Sequence, residues 1–287
     1  MGYRGVCFEE DEVPINITAE IGINHNGDLN IAKQLMLAAK AAGCDYVKFQ
    51  KRVPRLSVPE SMWDTPRSTP WGVMKYIEYK ERIELGKEDY IEIDRYSKEL
   101  NIPWFASAWD IPSVEFLEEF NLPFHKVASA CLTNDSLIKE MATKQKPIIV
   151  SLGMSTEEEI RHAVRLLACC NKNFILCHCN SSYPAPVGEL NLRRIERLRQ
   201  MFPEVPIGYS GHEVGLATTV AVASMGVTYI ERHITLDRSM WGTDQSASVE
   251  PEGFHRLVKD IRNVEKAMGN GTFCLTEGEQ KKRSQLR

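Results

Sequence analysis

No stretch of the 287 residues is apolar for the roughly 20 residues that a membrane-spanning helix needs, so a membrane span is not expected. No long basic run is present either. Lys and Arg total 35 against 39 Asp and Glu, a formal net charge of −4, which argues against nucleic acid as a partner. No C-x-x-C pair occurs. The eight cysteines (Cys7, Cys44, Cys131, Cys169, Cys170, Cys177, Cys179, Cys274) are too sparse for a disulfide framework and read as mainly buried small hydrophobes. Cys177-His178-Cys179 resembles a metal cluster on paper, but alternate residues of a strand face opposite ways, so His178 points away from both sulfurs. The opening residues, MGYRGVCFEEDEVP, put acids where a secretory signal needs an apolar stretch, and the expected location is cytoplasmic. With no internal repeat, low-complexity segment or linker, the chain reads as one domain over 1–287, its core over about 15–270.

What is there is an ordinary globular composition, 43% hydrophobic and 26% charged, enough for a sizeable core. Short apolar runs rich in β-branched residues alternate with longer amphipathic segments. The runs are Ile17 to Asn24, Tyr46 to Gln50, Trp104 to Ser107, His125 to Ala128, Ile148 to Leu152, Phe174 to Cys179, Ile207 to Tyr209 and Tyr229 to Ile234. Between and after them lie helical patterns over 29–42, 87–100, 113–120, 135–144, 156–168, 191–201, 214–225 and 252–268. Eight strands alternating with eight helices predict an α/β fold of the (β/α)₈ TIM-barrel type.

Helix punctuation agrees. Ser155-Thr156 followed by Glu157, Glu158 and Glu159 sets a capping hydroxyl and first-turn carboxylates at a helix start, and Gly43 and Gly226 sit just beyond helical runs. One long irregular stretch is expected from Arg52 to Gly86, after the second strand, where a barrel loop overhangs the active-site mouth. The polar, basic tail GEQKKRSQLR reads as a solvated end.

Barrel active sites form where strands run out at their C-terminal face, and those ends are polar in this chain. They carry Glu20 and Asn24-His25-Asn26-Gly27; Lys48 and Gln50; Ser107; Lys126 and Ser129; Ser151; Ser181 and Tyr183; Ser210 and His212; and Glu231, Arg232 and His233. Each taken alone is as well explained by a local hydrogen bond or ion pair. Together, at equivalent ends of one barrel, they would cost free energy unless something bound there. Two lysines with several hydroxyls suit an acceptor-rich anion such as a phosphate. His212 and His233 follow successive strands and can converge on one divalent metal, with Glu20 or Asp244 completing an N/O set that favours Mn²⁺, Mg²⁺ or Zn²⁺.

The strings AEIGINHNGDLNIAKQLMLAAKAAGCDYVKFQ, HKVAS, IIVSLGMST, HCNSSYPAP, GYSGH and ERHITLDRSMWGTDQSASVEPE, in this order across 17–268, resemble the sialic acid synthase family. These barrel enzymes condense phosphoenolpyruvate with a sugar aldehyde. The resemblance implies that Lys48, Ser107, Lys126, Ser129, Ser151, Ser181 and Ser210 hold the phosphate and carboxylate of phosphoenolpyruvate. It also implies that His212 and His233 hold Mn²⁺ or Mg²⁺, and that Glu20, Gln50, Tyr183 and Asp244 face the sugar and the metal-bound water. Glu20 is expected to work on the water side and Asp244 on the sugar side.

Two departures bear on the substrate. Where relatives carry an acid two positions past the serine after the fourth strand, this chain reads Ser129-Ala130-Cys131. Many relatives also append an antifreeze-like domain, and this chain ends at Arg287, about where that domain would begin. The expected substitute is the stretch Arg52 to Gly86, in which Trp63, Trp71, Tyr76 and Tyr79 either present flat faces to a sugar or pin the loop to the rim, while Arg55, Arg67 and Lys75 offer charge. A homodimer is expected from family habit. Two further readings stay open: a synthase or metal-dependent aldolase acting on a shorter phosphorylated sugar, and a non-catalytic barrel that binds a phosphometabolite.

Overall fold

The computed structural model describes residues 14–271 and 273–287; Cys7 and the acidic opening residues on which the secretory reading rests lie outside them. Ten strands are present among the described residues: β1 (Asn16–Gly22), β2 (Tyr46–Lys51), β3 (Pro66–Thr69), β4 (Gly72–Lys75), β5 (Trp104–Ala108), β6 (His125–Val127), β7 (Ile148–Ser151), β8 (Phe174–Cys179), β9 (Ile207–Gly211) and β10 (Tyr229–His233). Eight of them close a parallel barrel in the order β1-β10-β9-β8-β7-β6-β5-β2, and β3 and β4 form a separate antiparallel hairpin. The barrel strands are the eight apolar runs expected from the sequence. The fold is a TIM barrel.

The helices are α1 (Leu29–Ala42), α2 (Pro54–Ser57), α3 (Tyr76–Ile83), α4 (Lys87–Leu100), α5 (Ile111–Glu118), α6 (Asp135–Thr143), α7 (Glu157–Cys170), α8 (Arg193–Met201), α9 (Ala217–Ala223), α10 (Pro251–Met268) and α11 (Glu277–Leu286). Helix α1 shows why the pattern was readable. Asp28 caps it by accepting from the Asn30 amide at 2.7 Å, Ala32, Leu35, Met36 and Ala39 make a buried stripe, and Gly43 ends it in the left-handed region at φ 87°. Thr156 and Glu159 form the expected capping box on α7. None of these helices is long and apolar enough to cross a membrane.

The stretch from Arg52 to Gly86 is not irregular, which corrects the expectation. It contains α2, a 3-10 turn at Glu60–Met62, the β3–β4 hairpin and α3. These pieces are too short for a periodic signal, and they are held by side chain to backbone bonds such as Trp63 Nε1–H to the Val58 carbonyl at 3.0 Å. Helix α3 packs Tyr79 and Ile83 on Ile23 in a small cluster outside the main core. Gly27 makes that approach possible: at φ 79°, a Cβ there would lie 2.7 Å from the Arg82 carbonyl oxygen. The basic tail is the helix α11, exposed throughout as a solvated end should be.

Candidate active site

Strand period and register assemble the site. Side chains two apart share a face, so Lys48 and Gln50 both point into the barrel, as do Glu231 and His233. The ladder pairs Glu20 with both Lys48 and His233, Gln50 with Ser107, and Ser107 with Lys126. Cys179 is opposite Ser210, which is opposite Glu231. A ring of polar groups thus lies in one layer at the C-terminal ends of the strands. They surround a cavity of about 140 Å³ lined by Glu20, Lys48, Gln50, Ser107, Lys126, Ser129, Ser151, Ser181, Tyr183, Ser210, His212 and His233. All but one of the residues that the resemblance assigns to phosphoenolpyruvate, metal and sugar therefore meet in one place. Asp244 is the exception: it stands at the rim, its Oδ2 3.8 Å from His233 Nδ1. Asn24 to Gly27 and Arg232, also polar at strand ends, do not line the cavity.

The charged floor is built from two acids and two lysines. Lys48 Nζ lies 2.8 Å from Glu20 Oε2 and 3.5 Å from Glu231 Oε1, and Lys126 Nζ lies 3.1 Å from Glu231 Oε2. Tyr229 and Ser210 hydroxyls also donate to Glu231, at 2.6 and 3.3 Å. Burial works against charge on Glu231, but Lys126 and Lys48 outweigh it and hold the carboxyl well below its usual range. Glu20 goes the other way: burial raises it to about 7, with Lys48 opposing and Glu231 adding. One of the two carboxylates is a fixed counter-ion, and the other is poised to exchange a proton near neutral pH.

At the other side of the cavity, hydroxyls converge on Gly153. Its amide donates to Ser129 Oγ at 3.1 Å, and a Cβ there would stand 2.2 Å from Ser181 Oγ and 2.8 Å from Ser129 Oγ. The absence of a side chain lets serines from two loops crowd together beside Lys126. Backbone amide, hydroxyls and ammonium all donate, which suits phosphate or carboxylate oxygens.

His212 and His233 have ring centroids 5.2 Å apart. His212 Nδ1 lies 2.5 Å from the Asn180 carbonyl oxygen, so Nδ1 must donate. Nε2, 2.8 Å from the Tyr183 hydroxyl, is left to take a proton or a Lewis acid. Burial opposes charge on both His212 and Cys179, yet their contact at 3.8 Å holds the imidazole above and the thiol below their ordinary values. Burial drives His233 down to about 3 against the pull of Asp244, so its ring is neutral, and its buried Nδ1 has no hydrogen-bond partner. His212 Nε2 once its proton is displaced, the unpartnered nitrogen of His233 and nearby carboxylates are a donor set that a divalent cation fits. Among the described residues, no three His, Cys, Asp or Glu groups are close enough to hold a metal ion by themselves, so such an ion would need further oxygen ligands from water or substrate.

The structure also adds and removes residues. Glu231 was visible only as a polar strand end; its place two residues before His233 was the signal that it shares the inner face. Trp109, Met154 and Cys179 also line the cavity. Arg232 faces outward onto Glu213, and His178 Nε2 bonds the Leu190 carbonyl, outside the barrel as the strand period requires. Arg55 and Lys75 make exposed pairs with Glu81 and Asp64 and do not line the cavity. Cys131 is buried, does not line the cavity, and has its thiol pushed up to about 11 by burial.

A polar cavity with lysines, hydroxyls and a poised carboxylate at the mouth of a TIM barrel defines a class of enzyme, and comparison with known proteins agrees. The chain belongs to the NeuB family, whose model matches residues 35–273. It is 40% identical over 261 residues to the N-acetylneuraminate-9-phosphate synthase of Homo sapiens, covering 90% of this chain and 72% of that protein. It is 36% identical over 271 residues to the N,N'-diacetyllegionaminic acid synthase of Campylobacter jejuni, covering 92% and 80%. Among solved structures, N-acetylneuraminic acid (sialic acid) synthetase from Leptospira borgpetersenii, in complex with citrate, superimposes with a TM-score of 0.84 at 30% identity, covering 95% of this chain and 91% of that one. This chain is an enzyme of that synthase type.

Proposed function

We propose that this enzyme condenses phosphoenolpyruvate with a sugar aldehyde to give a 3-deoxy-2-ulosonic acid of the nonulosonic kind and inorganic phosphate. The observation that carries the reading is the cavity in which Lys48, Lys126 and five serines face a buried Glu20 and two histidines. Its donor side matches an enol phosphate that also bears a carboxylate.

In the reaction, C3 of phosphoenolpyruvate bonds to the aldehyde carbon and C2 becomes cation-like. Water adds to C2, and the tetrahedral species expels phosphate to leave a 2-keto acid. Lys48, Lys126, Ser107, Ser129, Ser151, Ser181 and Ser210 hold the phosphate and carboxylate. Glu20, raised to about 7, takes the proton from the attacking water, and Asp244 supplies one to the former aldehyde oxygen. Gln50 and Tyr183 face the sugar. Mn²⁺ or Mg²⁺, held by His212 and His233 with Glu20 or Asp244, would supply polarisation of the aldehyde oxygen.

The test is inorganic phosphate release from phosphoenolpyruvate with Mn²⁺ present, over a panel of aldoses that includes N-acetylmannosamine and di-N-acetylated hexoses. Release that requires both substrates is expected. Pyruvate in place of phosphate, or no release with any aldose, would overturn the reading.

A further inference from the structure

The excursion between β2 and α4 carries three cations to the outer rim of the cavity. Arg52 follows β2, Arg67 is on β3 and Lys80 is on α3. The Arg52 guanidinium lies 4.0 Å over the ring of Trp109, a cavity-lining residue, and donates to Gln50, another. Arg67 lies over Tyr79 and Trp241 at 4.6 and 5.5 Å, and Lys80 Nζ is 5.2 Å from the Tyr79 ring. Asp244, near enough to act electrostatically on both Tyr79 and Lys80, ties this cluster to the His233 side of the mouth.

These three are buried or half-buried, and among the described residues no carboxylate neutralises them at close range; Arg82 on α3 also lacks one, but it is exposed and lies over the Trp71 ring. By contrast, Lys51 at the end of β2 and Arg55 and Lys75 on the excursion each have a carboxylate within 4.0 Å. Arg52, Arg67 and Lys80 have none among the described residues, and Asp244 and Glu84 act on them only from farther off. Three buried donors in the cluster and beside it also lack partners: Arg67 Nε, the Tyr79 hydroxyl and Trp109 Nε1. Unsatisfied buried donors and uncompensated cations cost free energy unless a ligand meets them. Every one of these groups donates, so the ligand must be negative and rich in acceptors. Burial, then Arg52 and Arg67, hold the Lys80 ammonium down to about 8, and a bound anion would push it back up.

We propose that Arg52, Arg67 and Lys80 form a subsite for a phosphate carried by the acceptor sugar at the end remote from its aldehyde. The proposal rests on the condensation reading: the inner donors around Gly153 are taken by phosphoenolpyruvate, so an anion at the outer rim belongs to the other substrate. Stacking of Arg67 and Lys80 on aromatic faces holds both cations in place without neutralising them.

Steady-state phosphate release is compared with N-acetylmannosamine and its 6-phosphate as acceptors. The expected kcat/KM is about tenfold or more higher for the phosphorylated sugar, and Arg67→Met and Lys80→Met each bring that ratio down toward one. Equal or greater efficiency with the neutral sugar, or an unchanged ratio in both variants, overturns the subsite while leaving the synthase reading in place. Calorimetry tests it apart from turnover, using the two alditols made by reducing these sugars at C1, which cannot react. The alditol phosphate is expected to bind about tenfold or more tighter than the alditol, with the advantage lost in Arg67→Met and kept largely in Lys80→Arg; equal binding of the two overturns the proposal.

Discussion

Glu213 and Glu231 are both buried at the same end of the barrel, and both face cations, yet they are differently equipped. Glu213 lies between the barrel and α9, where its carboxylate accepts from Arg232 at 3.2 Å and from Tyr209, Thr218 and Thr219 at 2.9, 2.9 and 2.6 Å. One acid meets one guanidinium, and hydroxyls fill the remaining acceptor sites. Glu231 instead meets two lysines on the wall of a cavity, one of which, Lys48, it shares with Glu20, and each ammonium has three N–H groups to offer. Donors remain on that side after the internal bonds are made. Arg232 and Glu231 are adjacent in sequence, and only the strand period sends one to a packed network outside the barrel and the other to the cavity wall. A carboxylate whose acceptor sites are filled holds the fold, and one whose lysines keep donors facing a cavity is equipped to bind.

That contrast breaks first at Glu20, where the largest effect is expected. Glu20→Gln should lower kcat by about 10²–10⁴-fold while the melting temperature stays close to that of the wild type. The wild-type rate should rise with pH through about 7, as Glu20 ionises to act as base, and this limb should vanish in the variant. Near-normal turnover in Glu20→Gln would make the carboxylate a structural partner like Glu213. The converse change, Glu213→Ala, should cost about 3–5 kcal/mol in urea unfolding, because it leaves Arg232 buried and unpaired, while the folded fraction keeps its KM for phosphoenolpyruvate. Replacing both partners, Glu213→Leu with Arg232→Met, should recover much of that loss. A destabilised double variant would show that the pair contributes more than its own desolvation.

The barrel was legible in the sequence because each strand is a short apolar run and each helix a periodic one with caps, as at Asp28 and Thr156. The inner ring was legible for the same reason: once the strands are set, Lys48, Lys126 and His233 fall at their C-terminal ends on the inward period. Glu231 needed one further step, the parity of β10. The excursion after β2 was not legible, since a four-residue helix and a four-residue hairpin leave no periodic trace. Nor could sequence tell Arg55 and Lys75, which find acids across the surface, from Arg67, which finds only aromatic rings. Partner choice there is a tertiary fact.

His25 sharpens the comparison with a buried group at which burial outweighs the pull of the nearby Asp28. Its Nδ1 accepts from the Gly27 amide at 3.0 Å, which requires the neutral ring, and burial drives it down to about 4. A histidine with a depressed folded value binds its proton more readily when unfolded, so its contribution is complete above about 6.5 and is lost as pH falls toward 4. The expected loss is on the order of 3 kcal/mol across that window. His25→Gln should flatten the pH dependence of urea unfolding between 6.5 and 4; an unchanged slope would assign it to other groups.

The smallest expected effect is at Gly153, and it asks whether the inner donors are as precisely set as their geometry implies. In Gly153→Ala the new Cβ meets hydroxyl oxygens that can rotate away, along with Cys179 Sγ at 3.2 Å, so the fold should survive with its melting temperature little changed. Ser129 and Ser181 can only make room by turning from the positions in which they face the cavity. Each hydroxyl so displaced removes a donor from the phosphoenolpyruvate side, and the KM for that substrate should rise about tenfold, equivalent to about 1.4 kcal/mol, while the KM for the sugar stays within twofold. A rise confined to the sugar would move the phosphoenolpyruvate pocket away from Gly153 and leave its crowded hydroxyls as packing, which is the role the hydroxyls around Glu213 play outside the barrel.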